Sequence, residues 1–369
     1  MRKLLLFNFI VLAMMANTIF AQEKKQDKLK LYGDVRFRTE LDRDSRKTDG
    51  SYRADRDRFR FRFRFGFKYA LNENIEFGGR LRSGDPMNPQ SPHVTLGSAF
   101  TTKSVSIDKA YIKYHKNGFY IWAGKNGMNM WEPDEMFWDA DVTPEGIAMG
   151  KTFAAGENSK LNLSTGYFVV LNTIEDNAQT FGKNVHATFF QLKYCANLGD
   201  NKLILAPAIV SSNTEKVLGY DYNIFVAFAQ FKTSSGLNFN IDYFNNMADL
   251  EGKVDPNFED QTTGFSATVG YAFSDKLSAK LSYASIEKYS VIDRFAQDDW
   301  VRWDTTDPFG ITYTRSSNFS GFGLAFKYNI SKNFDTQLKF WDVEGLVRAT
   351  TDTALETGTR IRWDFNIKF

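Results

Sequence analysis

The chain has 369 residues, 35 of them Phe, 16 Tyr and 7 Trp, yet its mean hydropathy is only −0.39. Beyond residue 21 there is no run of about 18 apolar residues, which excludes a membrane-spanning helix there. Removing residues 1–21, which hold Arg2 and Lys3 and no acid, leaves 46 − 2 = 44 bases against 44 acids, and that balance argues against a nucleic-acid partner.

Residues 1–21 are the first element. Arg2 and Lys3, the apolar stretch Leu4 to Ile19, and the small Ala21 before Gln22 have the form of a cleaved secretory signal. Beyond it, hydrophobicity alternates with a period of two. Strands are predicted at Leu29 to Asp42, Arg56 to Tyr69, Asn74 to Ser83, Ser104 to His115, Phe119 to Lys125, Pro144 to Phe153, Lys160 to Leu171 and Lys183 to Cys195. The second half continues with Lys202 to Ser211, Gly219 to Lys232, Leu237 to Asn246, Gln261 to Phe273, Leu277 to Tyr289, Asn318 to Tyr328, Phe334 to Gly345 and Leu355 to Phe369.

The second strand is the most telling. Phe59, Phe61, Phe63, Phe65, Phe67 and Tyr69 fall on one face, and Arg58, Arg60, Arg62, Arg64 and Lys68 on the other. Soluble strands average about 5 to 6 residues and rarely repeat one charge sign along a face. A strand with one face in hydrocarbon and the other in water accounts for both features. The ninth and tenth strands are ambiguous, because both faces of Ile204 to Val210 and of Ile224 to Phe231 are apolar. Links are short after even strands and long after odd ones, the pattern of inner turns and outer loops. The fold class is therefore all-β: a transmembrane antiparallel β-barrel of about 16 strands, residues 22–369, with Phe369 on the lipid-facing parity of Ile361, Trp363, Phe365 and Ile367.

Several segments together carry a resemblance: Tyr-Gly-Asp-Val-Arg-Phe-Arg from Tyr32, Asp-Arg-Phe-Arg-Phe-Arg from Asp57, Gly-Gly-Arg-Leu-Arg-Ser-Gly from Gly78 and Asp-Lys-Ala-Tyr-Ile-Lys-Tyr from Asp108. Ala-Gly-Lys-Asn from Ala123, Trp-Asp-Ala-Asp-Val-Thr-Pro-Glu-Gly-Ile from Trp138 and the terminal Phe369 complete it. In this order they resemble the putative porin family of Gram-negative bacteria, which is similar to the phosphate-selective porins. The resemblance implies a diffusion channel for small hydrophilic solutes, commonly a homotrimer in the outer membrane. It also implies a C-terminal strand read by the barrel-insertion machinery and a loop after the fifth strand folded inward to narrow the lumen.

The polar parity of strands sixteen, one, two and three carries Arg360 and Arg362, Arg36 and Arg38, Arg60, Arg62 and Arg64, and Arg80 and Arg82. These strands are neighbours in a closed barrel, so the nine arginines are expected to form one pore-lining wall. Asn126 to Thr143 follows the fifth strand with Trp131, Glu132, Asp134, Glu135, Asp139 and Asp141, a candidate constriction loop whose acids would face the arginines. Ser290 to Ser317, with Asp298, Asp299, Trp300, Trp303, Asp304 and Asp307, reads as a folded surface lid, with a sugar or cation site as the alternative. The acids lack Ca²⁺-loop spacing, and His93, His115 and His186 show no Ser-His pairing, so neither a metal, a cofactor nor an enzyme is expected. The expected function is passive or weakly selective diffusion of solutes and ions. A substrate-specific anion or oligosaccharide channel is the alternative, and a barrel enzyme or adhesin the more distant one.

Overall fold

The computed structural model describes residues 28–171, 174–175, 178–179, 185–306 and 312–369; the expected signal at residues 1–21 and Asp307 lie outside them. The first eight long strands are β1 (Leu29–Arg43), β2 (Arg56–Ala70), β3 (Ile75–Ser83), β4 (Val105–Lys116), β5 (Phe119–Lys125), β6 (Glu145–Ala154), β7 (Ser159–Leu171) and β8 (Val185–Leu198). The other eight are β9 (Asn201–Ser212), β10 (Tyr222–Lys232), β11 (Leu237–Asn246), β12 (Thr263–Ala272), β13 (Leu277–Ile286), β14 (Phe319–Ser331), β15 (Phe334–Gly345) and β16 (Thr357–Lys368).

Each strand pairs antiparallel with its chain neighbour, and β16 pairs with β1 from Asp34↔Lys368 to Arg43↔Thr359, so the sheet closes on itself. Closure is what lipid demands, since an open edge would leave backbone donors and acceptors unsatisfied in hydrocarbon. The remaining member of the seventeen-stranded sheet is the two-residue Val94–Thr95, which pairs with β2 at Arg60 and Phe61, beyond the reach of the shorter β3.

All sixteen predicted strands are present, and only their ends move. β10 begins at Tyr222 rather than Gly219, because Glu215–Leu218 closes a helical turn that Gly219 ends at φ 83°. β13 stops at Ile286, and Ser290 N donates to Glu287 O where the chain turns away. Segments 71–74, 117–118, 155–158, 199–200, 233–236, 273–276 and 332–333 turn at one rim, and the longer connections lie at the other. In 117–118, Asn117 at φ 50° and Gly118 at φ 77° provide the two left-handed positions that a two-residue hairpin requires.

Alternation sorts the side chains as expected of a barrel in lipid. On β2, Arg60 and Arg62 are buried inside while Phe59 is exposed outside. At the seam, Phe369 N donates to Gly33 O at 3.1 Å and Gly33 N to Phe369 O at 3.0 Å. The Phe369 ring covers Gly33, where a Cβ would collide with it, and packs 6.4 Å from Phe65. The chain terminus is thereby fixed at the inner rim on the lipid face.

Candidate functional site

The interior has two unlike halves. From β8 to β11 the inner face carries an apolar patch, with Phe189, Ala206, Ala208, Val210, Ile224, Val226, Phe228 and Phe244 buried, beside the polar Gln191, Gln230, Asn240 and Asp242. From β16 through β1 and β2 to β3 it is the arginine wall. Loop 126–144 lies between them, held to each by the matching half of its own composition. Its apolar residues meet the apolar wall: Trp131 stands edge-on to Phe228 at 6.5 Å, and Phe137 packs 5.2 Å from Phe244. Trp131 N donates to Gln191 Oε1 at 2.7 Å, and Gln191 Nε2 returns a bond to Trp131 O at 2.8 Å. This explains the two-faced apolarity of β9 and β10, whose outer side meets lipid while the loop covers the inner side.

On the opposite side, Asp141 accepts from Arg62 Nη1 at 3.4 Å and from Arg64. The expectation that the loop's acids as a group face the arginines needs correction, because among its carboxylates only Asp141 has a hydrogen bond to the wall. Asp134 accepts from Asn240 Nδ2 at 2.7 Å and Lys280 Nζ at 3.1 Å, on other strands. Glu132 turns back on its own loop and accepts from the amides of Phe137 at 3.1 Å and Trp138 at 3.3 Å. Asp139 accepts from the Asp141 amide at 2.7 Å. Glu135 is exposed, at φ 57°. The reason is geometric: a loop crossing a lumen can present only one edge to any one wall.

Each of the nine arginines on the wall has an acceptor. Arg38 makes a two-pronged bond to Asp364 at 2.6 and 2.9 Å, and Arg36 reaches Asn366 at 2.5 Å. Asp34 accepts from Arg62 at 2.9 Å and Arg64 at 2.7 Å. Arg80 pairs with Asp108, and Arg82 donates to the carbonyls of Pro89 at 3.0 Å and Asn88 at 2.6 Å. Arg60 reaches Ser91 at 3.2 Å and lies 3.5 Å from Glu40. Arg360 binds Asp42 at 2.8 Å, and Arg362 binds Glu40 at 2.7 Å. Like charges on adjacent strands are tolerated because acids are interleaved among them.

The sequence did not single out the second loop as an internal element. Ser290 to Ser317, read as a surface lid, instead packs down into the barrel through its described residues 290–306 and 312–317. Val291, Ala296, Trp300, Val301 and Trp303 are buried, and Trp300 lies 5.7 Å from Phe319. Asp299 pairs with Arg362, and Arg360 Nη1 donates to the carbonyls of Asp298 at 3.1 Å and Asp299 at 3.0 Å. The two loops also dock on each other, since Asp139 N donates to Phe295 O at 2.7 Å and Trp138 lies 5.1 Å from Phe295. The signal available in the sequence was the aromatic content of this loop, which would form an exposed apolar patch if it stood in water.

The charge states of the loop acids follow from these partners. Burial pushes Asp141 and Asp299 up, but the guanidinium groups of Arg64 and Arg62 for the one, and Arg362 with Lys339 for the other, outweigh it and hold both below the usual carboxylate range. Burial, followed by each other's proximity or that of further acids, raises Asp139 well above that range and raises Asp298. Burial together with Asp242 and Glu135 does the same to Glu132.

Two open spaces lie beside the loops. One of about 680 Å³ lies at the outer mouth, where Trp138, Phe168, Tyr222 and Phe295 are among its walls. The other, about 410 Å³, lies between the two loops and the inner face of β12 to β15. A closed barrel with lipid-facing aromatics, a loop across its lumen and water-sized space beside that loop is the architecture of a porin. Residues 46–202 match the family described as putative porin. No curated protein matches. Among solved structures, Pseudomonas putida OprB is 9% identical, with 93% of this chain and 94% of that chain covered and a TM-score of 0.58. Salmonella typhi OmpF in complex with daunomycin is 10% identical, with 92% and 97% covered and a TM-score of 0.53. A mutant porin of Rhodopseudomonas blastica is 12% identical, with 92% and 100% covered and a TM-score of 0.52. At such identities the structural likeness speaks for the fold, and it spans nearly the whole barrel, whereas the family match covers a contiguous part.

Proposed function

We propose that this porin is a passive or weakly selective diffusion channel of the Gram-negative outer membrane, passing small hydrophilic solutes and ions. The observation that carries the reading is the polar space left open beside a loop anchored across the lumen of a closed barrel. In this reading the nine arginines line the lumen and anchor the constriction loops, so that most of their charge is spent on Asp34, Glu40, Asp42, Asp108, Asp141, Asp299 and Asp364. Residues 1–21 would be removed near Ala21, leaving 22–369 as the barrel. The strand ending in Phe369 would be the part presented to the insertion machinery, and the assembly would be a monomer or a homotrimer among outer-membrane lipids. Outward-facing exposed aromatics such as Phe59, Phe322, Phe326 and Trp363 and the fixed position of Phe369 support the membrane part of this reading.

The test is reconstitution of the folded protein into a planar bilayer. Stepwise currents that scale with bulk salt conductivity are expected. A folded, inserted barrel without such currents would count against a channel. Block by one added solute at low concentration would favour the substrate-specific alternative.

A further inference from the structure

The conducting path of this barrel has to be somewhere other than beside its most conspicuous charges. The side chains of Arg38 and Arg362 are 2% and 1% exposed, whereas those of Lys280 and Lys327, also on the inner parity, are 49% and 40% exposed. Exposure inside a closed barrel means contact with luminal water. Register explains the opening. Ala325 on β14 pairs with Lys280 on β13 and with Lys339 on β15, so two lysines stand in one row on either side of a methyl group. Above Ala325 on the same face, Gly323 is covered by Trp341 and by Trp300 of the loop and Gly321 by Val343, so the open groove lies over Ala325 itself. Lys327 is the next inward residue on β14, toward the inner rim. Met136 and Trp300, one from each loop, face the groove from the other side. Ser278 lines both this space and a second opening of about 410 Å³ at the turns 233–236 and 273–276 of the inner rim.

We infer that solutes pass the constriction through the groove over Ala325, between Lys280 and Lys339, and that Lys327 and Lys339, not the arginine wall, give it a preference for small anions. The carboxylates near these two lysines have their tight bonds elsewhere. Asp299 is paired with Arg362 and only 3.9 Å from Lys339. Asp335 accepts from Asn366 at 2.7 Å and Gln337 at 2.8 Å and lies 3.9 Å from Lys327. Positive charge is therefore left facing the groove. Lys280 has a different part: its 3.1 Å ion pair with Asp134 ties loop 126–144 to the far wall and sets the width of the passage.

The inference rests on the channel reading, and the experiment separates the two. Four proteins are compared in planar bilayers under a salt gradient: wild type, Ala325→Trp, the double variant Lys327→Gln with Lys339→Gln, and Lys253→Gln. Resistance of the folded barrel to heating in detergent shows that each has assembled. Ala325→Trp is expected to reduce single-channel conductance by about half or more, because it fills the groove at a pore constriction. The double variant is expected to lower the anion-to-cation permeability ratio by about twofold at 0.1 M salt and by less at 1 M, where the Debye length falls to about 3 Å. Lys253→Gln, in an outer loop, should change neither. If wild type conducts while the assembled Ala325→Trp barrel conducts equally and the double variant keeps the wild-type zero-current potential, the path inference is overturned and the channel stands. A wild-type barrel that is folded and silent overturns both.

Discussion

Arg362 on the last strand donates from Nε to Glu40 Oε2 on the first strand at 2.7 Å, and neither side chain is more than 1% exposed. The pair bridges the seam where the barrel closes, and Glu40 is also paired with Arg58 and lies 3.5 Å from Arg60. Closure of the sheet and neutralisation of the arginine wall thus share one carboxylate.

Glu40→Gln should therefore be costly. Removing one partner of a buried ion pair strands the other, at about 3 to 5 kcal/mol, whereas an exposed pair such as Lys253 with Asp249 contributes about 0 to 1 kcal/mol. Urea unfolding of the refolded barrel in detergent should show a large loss of stability for Glu40→Gln and almost none for Lys253→Gln. Equal midpoints would mean that the seam pair contributes nothing net.

The parity of β2 makes a second expectation. Phe63→Arg places a charge on the lipid face at a cost of about 2 to 4 kcal/mol near the midplane, while Lys327→Gln on the luminal face of β14 should leave assembly intact. Arg62→Gln would not serve as a neutral comparison, because Arg62 holds both Asp34 and Asp141. Heat-resistant barrel lost from the Phe63 variant alone is the expected result, and comparable losses from both would reverse the assignment of faces.

Loop 126–144 is anchored by rings. Phe137 is buried against Phe244, and a buried Phe→Ala change costs about 3 to 5 kcal/mol of packing. That cost falls on the docking of the loop, not on the strand ladders, so Phe137→Ala should leave a folded barrel with larger and noisier single-channel currents. Unchanged conductance would place the constriction elsewhere.

The two loops meet at acids, which gives a pH dependence with a definite sign. Asp139 faces Asp298, Asp141 and Glu135; Asp298 faces Asp299 and the cations of Arg362, Arg60 and Arg360. Burial comes first in raising both, so the docked loops favour their protonated forms. Their contribution to docking is complete below the ordinary carboxylate value of about 4 and is lost as pH rises through the raised values. Asp141 and Asp299 are shifted the other way, so their contribution persists at neutral pH and fades only in strong acid. Conductance should therefore rise as pH is raised above the ordinary carboxylate range, and Asp139→Asn should flatten the profile. A falling profile, or one that Asp139→Asn leaves as steep as before, would contradict this coupling.

By itself the sequence determined the strands, their faces and their order, because a side chain's face depends on a period of two and closure depends on neighbours in the chain. Phe59 to Tyr69 state their lipid face locally, and β16 must meet β1 once the sheet is to have no edge. Only the tertiary structure decided what lies inside. Whether Asp141 or Asp134 meets the arginine wall, and that Asp299, more than two hundred residues from Glu40, shares Arg362 with it, depends on how two loops cross a lumen whose walls come from distant strands. Gly321, Gly323 and Ala325 were visible as small residues opposite Phe322, Leu324 and Phe326, but only Ala325 borders an open groove, because Trp300 and Trp341 fill the space above Gly323 and Val343 that above Gly321. Packing between segments far apart in the chain carries no periodic signature, so it could not be read from the pattern that revealed the strands.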